Sequence, residues 1–173
     1  MNEIVSIEWL HQNLNHPDLI ILDASLNATA EGNTGDTLLK TIPGARFFDI
    51  KNNFSNPNSS LPNTLPNEIQ FETECQKLGI RRNSKIVVFD SLGIYSSPRV
   101  WWLFNAMGHE DISVLDGGLP AWIDIGFPTE TRTSKPYRVG NFKAKIQSKY
   151  VKNYQDVLDN VHTKTFTIVD ARS

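Results

Sequence analysis

The chain has 173 residues, 39% of them apolar, with 17 Lys and Arg against 19 Asp and Glu and a formal net charge of -2. That is enough for one ordinary domain and a tail, and the charge gives no support to a nucleic-acid or membrane-surface partner. A single cysteine excludes an internal disulfide, no apolar run reaches the ~18–20 residues of a membrane span, and Met1 to Ser6 lacks the basic start and apolar region of a signal peptide, so a cytoplasmic location is expected.

Ser6 can cap a short helix with Ile7, Leu10 and Leu14 on one face. His11 shares that stripe and is expected to be partly buried without chemistry. Leu19 to Asp23 is a continuous apolar run, as in a strand covered on both faces. Ala45 to Ile50 is a second strand candidate, and Lys51 to Asn67, rich in Asn, Pro and Ser, is expected to be a long surface loop. Glu68 to Leu78 predicts a helix with Phe71, Cys75 and Leu78 inward, stopped by Gly79.

Lys85 to Phe89 is the most β-branched strand, and Ser97-Pro98 forms an N-cap and first-turn pair for the next helix. That helix turns Val100, Leu103, Phe104 and Met107 inward and ends at Gly108. Ile112 to Leu115 is a fourth strand, Pro120 to Ile125 a short helix, and Ile4-Val5 a candidate fifth strand. Strands alternating with helices predict an α/β fold, a parallel sheet of four to five strands with helices on both faces.

Phe127 to Lys149 has the composition of a linker. Beyond it, Asn153 can cap a helix with Tyr154, Val157, Leu158 and Val161 inward, and Phe166 to Asp170 has the pattern of a strand. A lone strand after a linker and a helix has no sheet of its own to join. The expected division is a domain over 1–126, a linker over 127–149, and the opening helix and strand of a second, truncated domain over 150–173, so the chain is expected to be a fragment.

The chemistry concentrates in Ile86 to Trp102, which predicts a buried strand, a polar loop with Gly93, and a helix. Loop amides and the positive end of a helix dipole converge at such a place, which suits an anion or a nucleophile. The residue at the strand end is Asp90. Cys75 lies mid-helix on the apolar face between Glu74 and Gln76, with nothing to stabilise a thiolate, so it is expected to be structural. A phosphoaspartate nucleophile, as in haloacid-dehalogenase-like phosphatases, needs a second acid two residues on, where Leu92 stands. Trp101, Trp102 and Trp122 are expected in packing. Gly117-Gly118 is a turn outside any dinucleotide or Walker pattern, and no His, Cys and acid cluster has metal-ligand spacing.

Ile86 to Trp102, with Val114 to Trp122 and with Ile42 to Ile50, resembles the N-terminal domain of a two-domain rhodanese. That family comprises the thiosulfate and 3-mercaptopyruvate sulfurtransferases. The resemblance runs in order from about Val5 to Arg172, with Thr41 where the family usually has histidine. It implies that Asp90 stands where a catalytic domain carries its cysteine. A carboxylate cannot accept sulfane sulfur as a persulfide, but it can fill the loop with a permanent anion. Asp170-Ala171-Arg172 matches a motif whose arginine binds the anionic substrate; a guanidinium suits that role through paired hydrogen bonds. Tyr95 would form one wall of the cleft. Lys51 and Asn63 fall nearest the positions where mercaptopyruvate-type members often carry Asp and His. The implied parent is a sulfurtransferase that moves sulfane sulfur from thiosulfate or 3-mercaptopyruvate to cyanide or another thiophile, with no metal or organic cofactor. Its partners are a small anionic donor, a thiophilic acceptor and the missing C-terminal rhodanese domain, without which the chain is expected to be inactive. The alternative is a non-catalytic binding or regulatory module.

Overall fold

Alternate residues of three central strands point to opposite sides, and both sides are buried. The computed structural model describes residues 2–26, 40–133 and 135–170. Its main sheet has five parallel strands in the order β1-β6-β5-β2-β4. These are β1 (Ile4–Val5), β2 (Leu19–Asp23), β4 (Arg46–Phe47), β5 (Lys85–Phe89) and β6 (Ile112–Leu115). Ile20, Leu22, Ile86, Val88, Ile112 and Val114 face one side, where Phe71 and Cys75 of α2 (Glu68–Lys77) and Val100, Leu103 and Phe104 of α3 (Ser97–Ala106) cover them. Ile21, Val87, Phe89 and Leu115 face the other, under Ile7 and Leu10 of α1 (Ile7–Asn13) and Leu119 and Trp122 of α4 (Gly118–Asp124). The period of two along each strand thus produces a three-layer α/β domain, as the sequence predicts.

Several boundaries differ from expectation for identifiable reasons. Only Arg46 and Phe47 of the expected Ala45–Ile50 strand pair with β2, because Phe48 and Ile50 turn into the aromatic core. Phe48 lies 3.6 Å from Phe54, ring to ring. The N-cap of α3 is Ser96, not Ser97, since Ser97 is drawn into the loop described below. α4 begins at Gly118, two residues before the expected Pro120. Leu14 is the C-cap of α1, and His11 is exposed, stacked on Phe127 at 3.9 Å.

The stretch with linker composition lies along the domain. Glu130–Thr131 (β7) pairs antiparallel with Lys40–Thr41 (β3) in a small second sheet. Further on, Gly140, Phe142, Lys145 and Gln147 donate backbone hydrogen bonds to carbonyls of Gln76, Ile80, Met107 and Ala106. Phe142 is 1% exposed within the core. A Cβ on Gly140 would stand 1.9 Å from the Ile80 carbonyl oxygen, so only glycine permits this approach.

α5 (Tyr154–Thr163) forms with the expected Asn153 cap, which completes a capping box with Asp156. Its expected inward stripe is exposed: Tyr154, Val157, Leu158 and Val161 all face solvent to a large degree. The buried residue of this helix is Asn160, which bonds to Thr165 and Phe166. Residues 166–170, expected as a strand, join neither sheet. A strand needs a neighbour to satisfy its backbone groups, and no described strand pairs with this segment.

Candidate functional site

The chain leaves β2 toward β4 and leaves β5 toward β6, so the strand order reverses between β2 and β5. The carboxyl ends of the strands at such a switch point form the usual ligand crevice of an open α/β sheet. Asp23 ends β2 and Asp90 follows β5, and the two strand ends are tied by Ala24 N–H to the Phe89 carbonyl at 2.9 Å.

Asp90 is 1% exposed and sits inside its own loop. Its Oδ2 accepts from the backbone N–H groups of Tyr95, Ser96 and Ser97 at 2.8, 3.0 and 2.9 Å, and from the Ser97 hydroxyl at 2.7 Å. Its Oδ1 accepts from Leu92 N–H at 2.9 Å. Two of those donors, Ser96 and Ser97, stand at the start of α3, where N–H groups have no intrahelical partner. Burial pushes the Asp90 carboxyl upward, but the Ser97 hydroxyl and the amides of Ser97, Tyr95 and Leu92 outweigh it, and the group is held below the usual aspartate range. Asp90 is therefore a carboxylate at neutral pH.

Two further contacts shape the loop. The Ser96 hydroxyl donates to the Ala24 carbonyl at 2.8 Å. Gly118, at φ +56°, presses so close that a Cβ would lie 2.3 Å from the Gly93 oxygen and 2.6 Å from the Asp90 oxygen. The rim points outward, with Leu92 69%, Ile94 47% and Tyr95 66% exposed. Tyr95 thus contributes its amide to Asp90 and leaves its ring free at the mouth.

Asp23 is a second buried acid at the same end of the sheet. Its Oδ2 accepts from Arg132 Nε and Nη2 at 3.1 and 2.7 Å and from the Thr41 hydroxyl at 3.0 Å, while Oδ1 accepts from Ser25 N–H at 3.0 Å. Arg132 also lies over the Phe47 ring at 4.6 Å. Sequence reasoning missed this pair: Arg132 lies in the apparent linker, 109 residues from Asp23, and no spacing rule links them. Thr41, noted for replacing histidine, is one of its members. The Ser25 hydroxyl is buried with no hydrogen-bond partner among the described residues, beside a cavity of about 70 Å³ that Lys51 and Asn52 also line.

Cys75 is fully buried in α2, and burial, with Glu74 nearby, pushes its thiol well above the usual range. It cannot serve as a thiolate there. Lys51 and Asn63 border one open depression of about 590 Å³, and the Asn63 carbonyl accepts from Arg99 Nη2 at 2.7 Å. Arg172 lies outside the described residues. Among the described residues no His, Cys, Asp and Glu cluster could hold a metal ion, and no helix is long and apolar enough to cross a membrane.

The model of the rhodanese-like domain family matches residues 6–125. Thiosulfate/3-mercaptopyruvate sulfurtransferase 1, mitochondrial, of Arabidopsis thaliana is 38% identical, the match covering 98% of this chain and 50% of that protein. The 3-mercaptopyruvate sulfurtransferase of Homo sapiens is 34% identical, with 98% and 59% covered. The crystal structure of SseA from Escherichia coli, described with the 3-mercaptopyruvate sulfotransferases and their rhodanese fold, superposes with a TM-score of 0.88 at 31% identity, covering 100% of this chain and 66% of that one. The chain therefore spans 50–59% of the length of these two curated relatives.

Proposed function

The chain belongs to the rhodanese-like domain family, and from that membership we propose that it supplies the non-catalytic domain of a sulfurtransferase. Its curated relatives are named sulfurtransferases. The observation that carries the proposal is the Asp90 carboxylate, which accepts from four amides and one hydroxyl of its own loop.

In the proposed reaction a thiolate attacks the outer sulfur of thiosulfate. The S–S bond breaks, sulfite leaves with the electron pair, and the thiolate becomes a persulfide. Cyanide or another thiophile then takes the outer sulfur and the thiolate returns. With 3-mercaptopyruvate as donor, the thiolate attacks the donor sulfur, the C–S bond breaks with its electron pair left on carbon as the pyruvate enolate, and that carbon takes up the thiol proton to give pyruvate. A loop with converging amides suits that thiolate, but here the place is held by Asp90, and Cys75 is buried elsewhere. The nucleophile accordingly belongs to a second rhodanese-like domain, for which 150–173 is the proposed opening after a domain over 1–126 and a connection over 127–149.

The comparison of Asp23-Ala24-Ser25 with Asp170-Ala171-Arg172 supports this division. Where the second copy offers an arginine to an anionic substrate, the first offers the short hydroxyl of Ser25. Arg172 is the proposed substrate-binding residue and Tyr95 the proposed cleft wall. The proposed sulfur transfer needs no metal or organic cofactor. The proposed location is cytoplasmic; mitochondrial import of the tagged longer reading frame overturns that part.

A thiosulfate-to-cyanide assay tests the assignment. The chain and its Cys75→Ser variant should yield no thiocyanate. Asp90→Cys, checked for native circular dichroism, should gain a thiol that alkylates rapidly at neutral pH while Cys75 stays inert. Turnover by the chain that vanishes in Cys75→Ser sinks the proposal. A second reading, a binding or regulatory module, rests on the same filled loop, and a longer frame without a cysteine-bearing loop would favour it.

A further inference from the structure

Ser84 precedes β5 and Asp90 follows it, and around Ser84 lies a cavity of a different character. It measures about 160 Å³ and is bordered by Arg46, Arg81, Arg138, Tyr137 and Asp18. Three separate pieces of chain bring the arginines together: β4, the turn after α2, and the strap that precedes Gly140. Gly79 lets them close. A Cβ there would stand 2.8 Å from Arg46 Nη1 and 2.9 Å from the Arg138 carbonyl.

Arg46 is half-buried and fixed, donating to the Leu78 carbonyl and lying over Tyr137 at 4.6 Å. Arg81 and Arg138 are exposed. Among the described residues none of the three forms an ion pair with a carboxylate. Asp18 is the one acid in the wall, set against three guanidiniums. Burial disfavours the charge on Arg46, and the proximity of Arg81 adds like-charge repulsion. Burial also keeps the Tyr137 hydroxyl protonated, hence a donor. The contrast with Arg132, which the fold pairs with Asp23, leaves this cavity with an excess of positive charge.

Size decides the class of ligand. The cavity is well below the ~300 Å³ at which pockets for organic ligands begin. Guanidinium forks match the oxygens of a tetrahedral anion with paired, charge-assisted hydrogen bonds. We propose that this cavity binds a small divalent oxyanion of the sulfate, phosphate or thiosulfate class, with Arg81 and Arg138 closing on it over the fixed Arg46. The site is separate from the Asp90 loop, and the inference stands whether or not the sulfur-transfer reading holds.

The test is an amide-resolved NMR titration of the 173-residue chain with sodium phosphate, sulfate and thiosulfate in turn, at constant ionic strength. Saturable shifts at Gly79, Arg81, Ser84 and Arg138 are expected with at least one of them. The Arg81→Ala/Arg138→Ala double variant, with an otherwise unchanged spectrum, should bind at least tenfold more weakly, and Arg81→Lys should fall between. Linear, unsaturable shifts, or equal affinity in the double variant, overturn the proposal. So does equal thermal stabilisation of both proteins by sulfate, which is general exclusion from the surface. The anion that binds most tightly identifies the source.

Discussion

α3 and α5 are each ten residues long, and they are opposites. α3 has no side-chain cap, yet it buries Val100, Leu103, Phe104 and Ala106 under the sheet. α5 has a complete capping box and leaves Val157, Leu158 and Val161 in solvent. Good local signals start a helix, but tertiary packing holds it. The difference also divides the molecule into a body whose faces are covered and an end whose apolar face is not, among the described residues.

The largest effect that would break this comparison lies in α3. Phe104→Ala should cost about 3–5 kcal/mol in urea unfolding, because its ring packs against Phe48, Phe71 and Phe142. A cost below 1 kcal/mol would mean that α3 does not anchor the body.

Asp90→Ala comes next, at about 3 kcal/mol, since it strands the buried N–H groups of Ser96 and Ser97 at the start of that helix. Unchanged melting would show that the carboxylate does not hold the loop. Acid should reproduce part of this loss. The Asp90 pKa is depressed in the folded chain, so its contribution is fully present above the unfolded value of about 3.9. It is lost as pH falls below that value through the folded pKa. The acid limb of the stability curve should therefore be shallower in Asp90→Asn.

How much of this was legible in the sequence follows from which contacts are local. The continuous apolar run of Leu19–Asp23, the β-branched run of Lys85–Phe89 and the inward stripe of α3 predict the three layers. The Asp90 loop was legible too, because all its donors lie within seven residues. Phe142 and Arg132 were not, because a chain segment without periodicity carries no sign of the surface that it will meet. The stripe of α5 was legible as a helix pattern, but a pattern names no partner.

The smallest effects should be in α5. Leu158→Ser should change the global unfolding midpoint by less than about 0.5 kcal/mol, as an exposed substitution does. Asn153→Ala should weaken α5 itself by about 1 kcal/mol, visible as faster amide exchange from Val157 to Asn160 with an unchanged global transition. A global loss above 1 kcal/mol from either would show that α5 is packed in solution and erase the contrast with α3.

The reach from Asp23 to Arg132 has a consequence for the order of events during synthesis. A ribosome has delivered all five strands of the main sheet once residue 115 is made. At that moment Asp23 has no guanidinium and the aromatic core has no Phe142. The strap that supplies both is finished about thirty residues later, roughly 2–6 s at ~5–20 residues per second. Until then the nascent sheet carries an uncompensated acid and an unfilled hollow, so a stalled or prematurely released chain in that window is the form of this protein that holding chaperones and proteases would meet first.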